Sequence, residues 1–219
     1  MISGEAAIKT RSGRLVDLLA FSLQTEHLWT EIAPALSKIP RFCGQTQLPL
    51  GYSVAQHCVL MAEAAEDESA DPALAALALL HDAHEAFLGD VITPALRALQ
   101  ATVADGLPPG ASAAARRAAE QMVDRAWRGM KHALDGHILD AAHLGPVTDE
   151  QWIALHVLDG RALETEMADL MGEPQPPLRL PLRQGGAIRP WPVALAEERY
   201  CAALDRYLPA AARSIGRAA

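Results

Sequence analysis

The stretch at residues 71–90, DPALAALALLHDAHEAFLGD, decides the fold. Asp71-Pro72 marks a helix start: the aspartate caps free amides, and proline takes the first helical position, where its missing N–H costs nothing. The segment 73–87 is apolar on nearly every side until His81, which predicts a central helix buried all round. Gly89 stops it. Such a helix must be wrapped by others, and the flanking sequence supplies them. Ser53-Val54-Ala55-Gln56 has the S-x-x-Q form of a capping box and predicts a helix over 53–66. Thr148-Asp149-Glu150-Gln151 has the same form and opens a helix that runs to Met171. Periodicity predicts further helices over 28–39, 93–100, 112–134 and 194–208. In the first of these, Thr30 as N-cap would place Pro34 at the edge of the first turn. Residues 15–22 read as a strand or a short helix, the first dozen residues as extended and 41–52 as a loop. Those after Pro209 read as a fraying end.

Composition agrees with an all-α fold. Of 219 residues 43 are alanine and only 5% are aromatic, which suits closely packed helices better than sheets. The length fits one domain over 1–219, with a core at about 10–171 and a C-terminal helix at 193–208. Between them, 172–192 holds six prolines and three glycines and reads as a loop, either a lid or a surface connection.

Nineteen basic minus 27 acidic residues give a net charge of −8. An acidic surface of this kind excludes polymeric nucleic acid as a generic partner, because duplex affinity rests on many Lys and Arg contacts. A small anion held by one or two local arginines stays open. Cys43, Cys58 and Cys201 are too widely spaced for a disulfide framework or a CxxC metal motif and read as reduced thiols. With no signal-peptide core and no apolar run of about 18 residues, the expectation is a cytoplasmic protein without a membrane partner.

The chemistry lies in polar residues set inside apolar helices. His57 follows a capping box and precedes Cys58-Val59-Leu60-Met61. His81-Asp82 ends the Leu77-Ala78-Leu79-Leu80 run, and Asp159 follows Ile153-Ala154-Leu155-His156-Val157-Leu158. An unpaired carboxylate or unsatisfied imidazole in such surroundings costs several kcal/mol. A single buried histidine is ordinarily a satisfied core residue; two histidines and two aspartates on three helices are more simply explained by one shared divalent cation. Imidazole and carboxylate together suit a transition metal such as Mn, Fe, Co, Ni or Zn, which acidifies water and polarises a phosphoryl group. Glu85, three to four residues past His81-Asp82 on the same face, is the candidate acid/base carboxylate. His84 points away from it and reads either as packing or as a residue that supports the ligands from behind, while His27, His132, His137 and His143 read as surface residues.

The string His57 … His81-Asp82 … Asp159, with an HDxxE form completed at Glu85, resembles the HD-domain metal-dependent phosphohydrolases. The likeness is to the branch of 5′-deoxynucleotidases and phage-type deoxynucleoside triphosphate hydrolases. It extends through RSGRLVDLL, IPRFCGQT, YSVAQH and GDVITP to the tail at 191–208. It implies a compact helical bundle with the metal between helices, held by His57, His81, Asp82 and Asp159, with Glu85 and Asp82 at the reaction. It places substrate contacts on Arg41, Phe42 and the Gly44-Gln45-Thr46 turn, and on Asp90, Thr93 and Arg97. It implies a nucleotide substrate and a homo-oligomer. Arg41 is also read as a cap on the preceding helix, Phe42 as core and Thr93 as an N-cap. Departures from the pattern include His84 in place of a small residue, Leu96 where relatives carry lysine, and the uncharged Val157-Leu158 before Asp159. The expected activity is a nucleoside 5′-monophosphatase or a triphosphohydrolase. The alternative is a regulatory module that binds metal and nucleotide without catalysis.

Overall fold

The computed structural model describes residues 6–69 and 71–217. These are 61% helix and 4% strand, an all-α architecture. A small antiparallel hairpin, β1 (Ala7–Lys9) with β2 (Leu15–Asp17), precedes the helices and pairs Ile8 with Val16. Of the two readings for 15–22, the strand holds over 15–17. After the hairpin come a π-helical turn (Leu28–Ile32) and α1 (Ala33–Leu36). The helix expected over 28–39 is therefore split. Pro34 has no N–H to give back along the ladder, and a widened turn absorbs the loss. Thr30 is not a cap; its hydroxyl donates back to the Glu26 carbonyl at 3.0 Å.

Three helices make the centre: α2 (Val54–Glu68), α3 (Pro72–Leu80) and α8 (Val193–Tyr207). Leu74 to Leu80 of α3 are all buried, as their unbroken apolar run requires. Tyr200 of α8 donates its hydroxyl to the Leu79 carbonyl at 2.9 Å, pinning two of the three together. Ser53 accepts from the Gln56 amide at 3.2 Å, but the reciprocal half of that capping box is not made. The Gln56 side chain instead donates to the Arg189 carbonyl and accepts from the Trp191 amide, at 2.9 and 2.8 Å. At Thr148 both halves of the box are present, opening α7 (Asp149–Met171).

The central helix ends earlier than its apolar pattern suggests. After Leu80 the chain passes through a tight turn into α4 (Glu85–Leu88), with amide bonds three residues back at Ala83, Glu85, Ala86 and Phe87. At three residues per turn, Glu85 eclipses Asp82. The remaining helices are α5 (Thr93–Asp105), α6 (Ala113–Ala141) and α9 (Pro209–Ser214). The first two outrun their predicted ends, and α9 forms where fraying was expected, because Ala211 and Ala212 are buried in the core.

Segment 172–192 has no regular structure but is tied down. Leu180 and Ile188 donate backbone amides to Thr165 Oγ1 and Asp169 Oδ2, each at 2.8 Å, and Leu180, Ile188 and Trp191 join the core. These ties fit the reading as a surface connection.

One buried ion pair anchors the hairpin. Glu31, 3% exposed, accepts from Arg14, Thr10 and Ser12 at 2.5 to 3.1 Å. Burial opposes its charge, but these donors outweigh burial and hold its carboxyl down to about 2. A depressed carboxyl stabilises the fold above its unfolded value near 4.5, and that contribution fades as pH falls towards 2. Glu31→Gln is therefore expected to lower stability by about 3 kcal/mol at pH 7, measured by urea denaturation, with the gap to wild type closing below pH 4. A gap that does not change with pH would contradict this account of the pair.

Candidate metal centre

Four side chains from three segments converge. His57 lies on α2, His81 and Asp82 at the α3 end, and Asp159 on α7. The two Nε2 atoms are 3.2 Å apart; Asp82 Oδ2 is 3.1 Å from His81 Nε2 and 3.6 Å from His57 Nε2. Asp159 Oδ1 is 3.5 Å from His57 Nε2 and 3.9 Å from His81 Nε2. Of the sequence-predicted ligands, His57, His81 and Asp159 have ligand atoms within 4.8 Å of one another, while Asp82 reaches both imidazoles but groups with His84 and Glu85.

Hydrogen bonds set the ring orientation. His57 Nδ1 faces Glu166 Oε1 at 2.5 Å, and His81 Nδ1 faces the Ala78 carbonyl at 2.8 Å. A carboxylate and a carbonyl only accept, so each neutral ring carries its proton on Nδ1 and turns an Nε2 lone pair to the other ring. Two lone pairs at 3.2 Å, with two carboxylates beside them, call for a cation. A metal ligated through Nε2, with Nδ1–H held by a carboxylate or carbonyl, is the usual arrangement in metalloproteins.

Electrostatics says the same. Burial opposes charge at Asp82, but His81, His57 and Arg41 outweigh it and hold this carboxyl well below its ordinary range. Asp159 is likewise held at about 2, against burial, by His57 and His81. Burial and Arg41 oppose a proton on His57, yet Glu166 and Asp159 raise its pKa; at His81, Asp82 overcomes burial in the same way. Without metal, protons are the cations that serve this cluster. With neutral imidazoles, the three carboxylates Asp82, Asp159 and Glu166 against Arg41 leave a formal charge of −2, a match for a divalent ion.

Glu166 is the functional residue that sequence reasoning missed. Its side chain is 1% exposed and accepts from His57, from Tyr52 at 2.8 Å and from Arg41 at 3.1 Å. It stands seven residues, two turns, after Asp159 on the same helix face, which is the signal that could have found it.

Arg41 is not a helix cap. It reaches Asp82 at 3.4 Å and Glu166 at 3.1 Å, bridging the cluster from above Phe42. Phe42 is half-buried at φ 55° and Cys43 follows at 52°, left-handed values that are uncommon outside glycine and tend to collect at functional sites. Glu85 is 8% exposed, and its Oε2 has no hydrogen-bond partner among the described residues. Burial, then Asp82 and Asp90, push its carboxyl up to about 9. Burial also raises the half-buried Asp90. Glu85, His84 and Asp82 form a second group of ligand-type atoms within 4.8 Å of one another, with His84 Nδ1 on Asp135 Oδ1 at 2.8 Å. Gln45, Thr93 and Arg97 are not gathered in: all three are exposed, and like Arg41, Phe42 and Glu85 they do not line the cavity beside the cluster. Thr93 is the first residue of α5, not its cap.

That cavity, about 300 Å³, is floored by His81, Asp82 and Asp159 and walled by α6 and α7. A larger hollow of about 520 Å³, bordered by α2 and α8, carries Arg183 and Arg206 already paired with Glu66. It lacks the ligand-type cluster that adjoins the smaller one. Among the described residues no helix is long and apolar enough to cross a membrane.

No family model matches the chain. Over 93 residues it is 39% identical to an uncharacterized protein of Rhodobacter capsulatus, a match covering 40% of this chain and 45% of that protein. The chain therefore matches less than half the length of this relative, whose name assigns no activity.

Proposed function

We propose that this protein is a metal-dependent phosphohydrolase of the HD type, acting on nucleotides. The observation that supports the reading is the convergence of His57 Nε2, His81 Nε2 and Asp159 Oδ1, with Asp82 Oδ2 near both imidazoles, beside a cavity that His81, Asp82 and Asp159 line. Their mutual distances, 3.1 to 3.9 Å where the pairs interact, and the lone-pair geometry fit a divalent transition metal. An ion held by these residues would supply a lowered pKa for water and polarisation of a phosphoryl oxygen.

The chain's own residues do the rest. Hydrolysis adds water across one P–O bond: the attacking water gives up a proton and the departing oxygen gains one. Glu85, eclipsing Asp82 and carrying an oxygen with no protein partner, is placed to handle that proton. Arg41 offsets the charge of Asp82 and Glu166, and its Nη2, which makes no hydrogen bond among the described residues, is left for a phosphate oxygen. Phe42, held on the strained turn beside it, offers a face for base or sugar.

The test is release of phosphate or of a phosphate chain from deoxynucleoside mono- and triphosphates with added Mn, Co or Zn. Hydrolysis that depends on the metal is expected; no turnover of any nucleotide with any of these metals would leave the non-catalytic metal- and nucleotide-binding module as the reading. Glu85→Ala is expected to keep its metal while turnover falls by about 10²–10⁴-fold, read by elemental analysis beside the assay. Unchanged turnover in this variant would remove Glu85 from the reaction.

A further inference from the structure

A smaller hollow, about 180 Å³, lies between the hairpin, the segment around α1 and α4, and none of His57, His81, Asp82 and Asp159 lines it. Lys9 and Arg11 reach it from the hairpin and Lys38 from just past α1, while Pro34, Ala86 and Phe87 give it an apolar side. Two of the chain's three lysines therefore meet at one point of a protein whose net charge is −8. The other charges there are spent. Arg11 pairs with Glu197 at 2.8 Å, and Glu31, the one carboxylate lining the hollow among the described residues, is held by Arg14. Lys9 and Lys38 are exposed and make no ion pair or side-chain hydrogen bond among the described residues. What remains is a formal charge of +2 from the two lysines against a partly apolar wall, an arrangement that concentrates the field and draws a counter-ion.

We propose that this hollow binds a small inorganic oxyanion of the phosphate type, seated between the Lys9 and Lys38 ammonium groups. Each ammonium offers three donors and no acceptor, so its ligand must accept, and two free charges match a dianion. Size sets the rest. A volume of about 180 Å³ falls well short of the roughly 300 Å³ at which pockets for larger organic ligands begin, which favours an ion over a nucleotide. The site goes beyond the phosphohydrolase reading and does not depend on it: phosphate would bind here even in a protein that turned over no nucleotide.

Calorimetric titration of the full chain with inorganic phosphate at constant ionic strength tests the proposal. The proteins compared are wild type, a double variant carrying Lys9→Ala and Lys38→Ala, and Lys131→Ala, which removes the third lysine from the cavity beside the candidate metal centre. Wild type is expected to bind phosphate, the double variant to bind it at least about 10-fold more weakly, and Lys131→Ala to stay within about twofold of wild type. Acetylation of lysine amines, mapped by peptide mass spectrometry, reads the same site without any substitution. Phosphate is expected to shield Lys9 and Lys38 and to leave Lys131 as reactive as before. No phosphate binding by wild type, undiminished binding in the double variant, a loss in Lys131→Ala as large as in the double variant, or labelling of Lys9 and Lys38 that phosphate does not change would overturn the proposal.

Discussion

On the phosphohydrolase proposal, Asp82→Asn is expected to abolish both metal binding and hydrolysis. Asp82 Oδ2 is the junction of the site, 3.1 Å from His81 Nε2, 3.6 Å from His57 Nε2 and 3.4 Å from Arg41 Nη1. Asparagine keeps the shape but removes a charge that three cationic or cation-seeking groups share. It also leaves the formal balance of the cluster at −1, a poorer match for a divalent ion. Metal content should fall from about one equivalent per chain to a small fraction, and hydrolysis by at least about 10³-fold, because in the proposed reaction a bound metal would bring water into the nucleophilic range near neutral pH. Elemental analysis and turnover on the same sample read both. Full metal content in the variant would remove Asp82 from the ligand set.

The second large effect is expected at Glu166, through stability as well as metal. Its carboxylate is the shared acceptor for the fully buried Tyr52 hydroxyl, for Arg41 and for His57 Nδ1. Glu166→Ala strands a buried guanidinium and a buried phenol, which should cost about 3–5 kcal/mol in metal-free protein. Glu166→Gln keeps an acceptor for Tyr52 but loses the charge that faces His57. It should fold, and bind metal about 10- to 100-fold more weakly than wild type. Urea denaturation and a metal titration separate the two. Wild-type stability in the alanine variant together with wild-type affinity in the glutamine variant would show that Glu166 does not hold the site.

Much of this arrangement is legible in the sequence for a definite reason. Charged residues inside apolar helices are costly, so His57, His81, Asp82 and Asp159 stand out against alanine and leucine. Capping chemistry is local, which is why α2 and α7 begin at the predicted residues. The features that a sequence does not display depend on tertiary placement. In Glu164-Thr165-Glu166 only the second glutamate turns inward, and nothing local separates it from the exposed first; its phase relative to Asp159 does. The break after Leu80 is equally hidden, because the apolar run continues in composition while the backbone tightens to bring Glu85 over Asp82. Gln45, Thr93 and Arg97 went the other way: residue types that suit phosphate or sugar, on segments that leave them facing solvent.

The most direct test of the central claim is the metal content of the purified wild-type protein after exhaustive dialysis, compared with His81→Ala prepared in parallel. About one equivalent of a divalent transition metal per wild-type chain, and close to none in the variant, is the expected result. Wild-type protein that holds no such metal, and whose melting temperature does not move when Mn, Co or Zn is added, would contradict it.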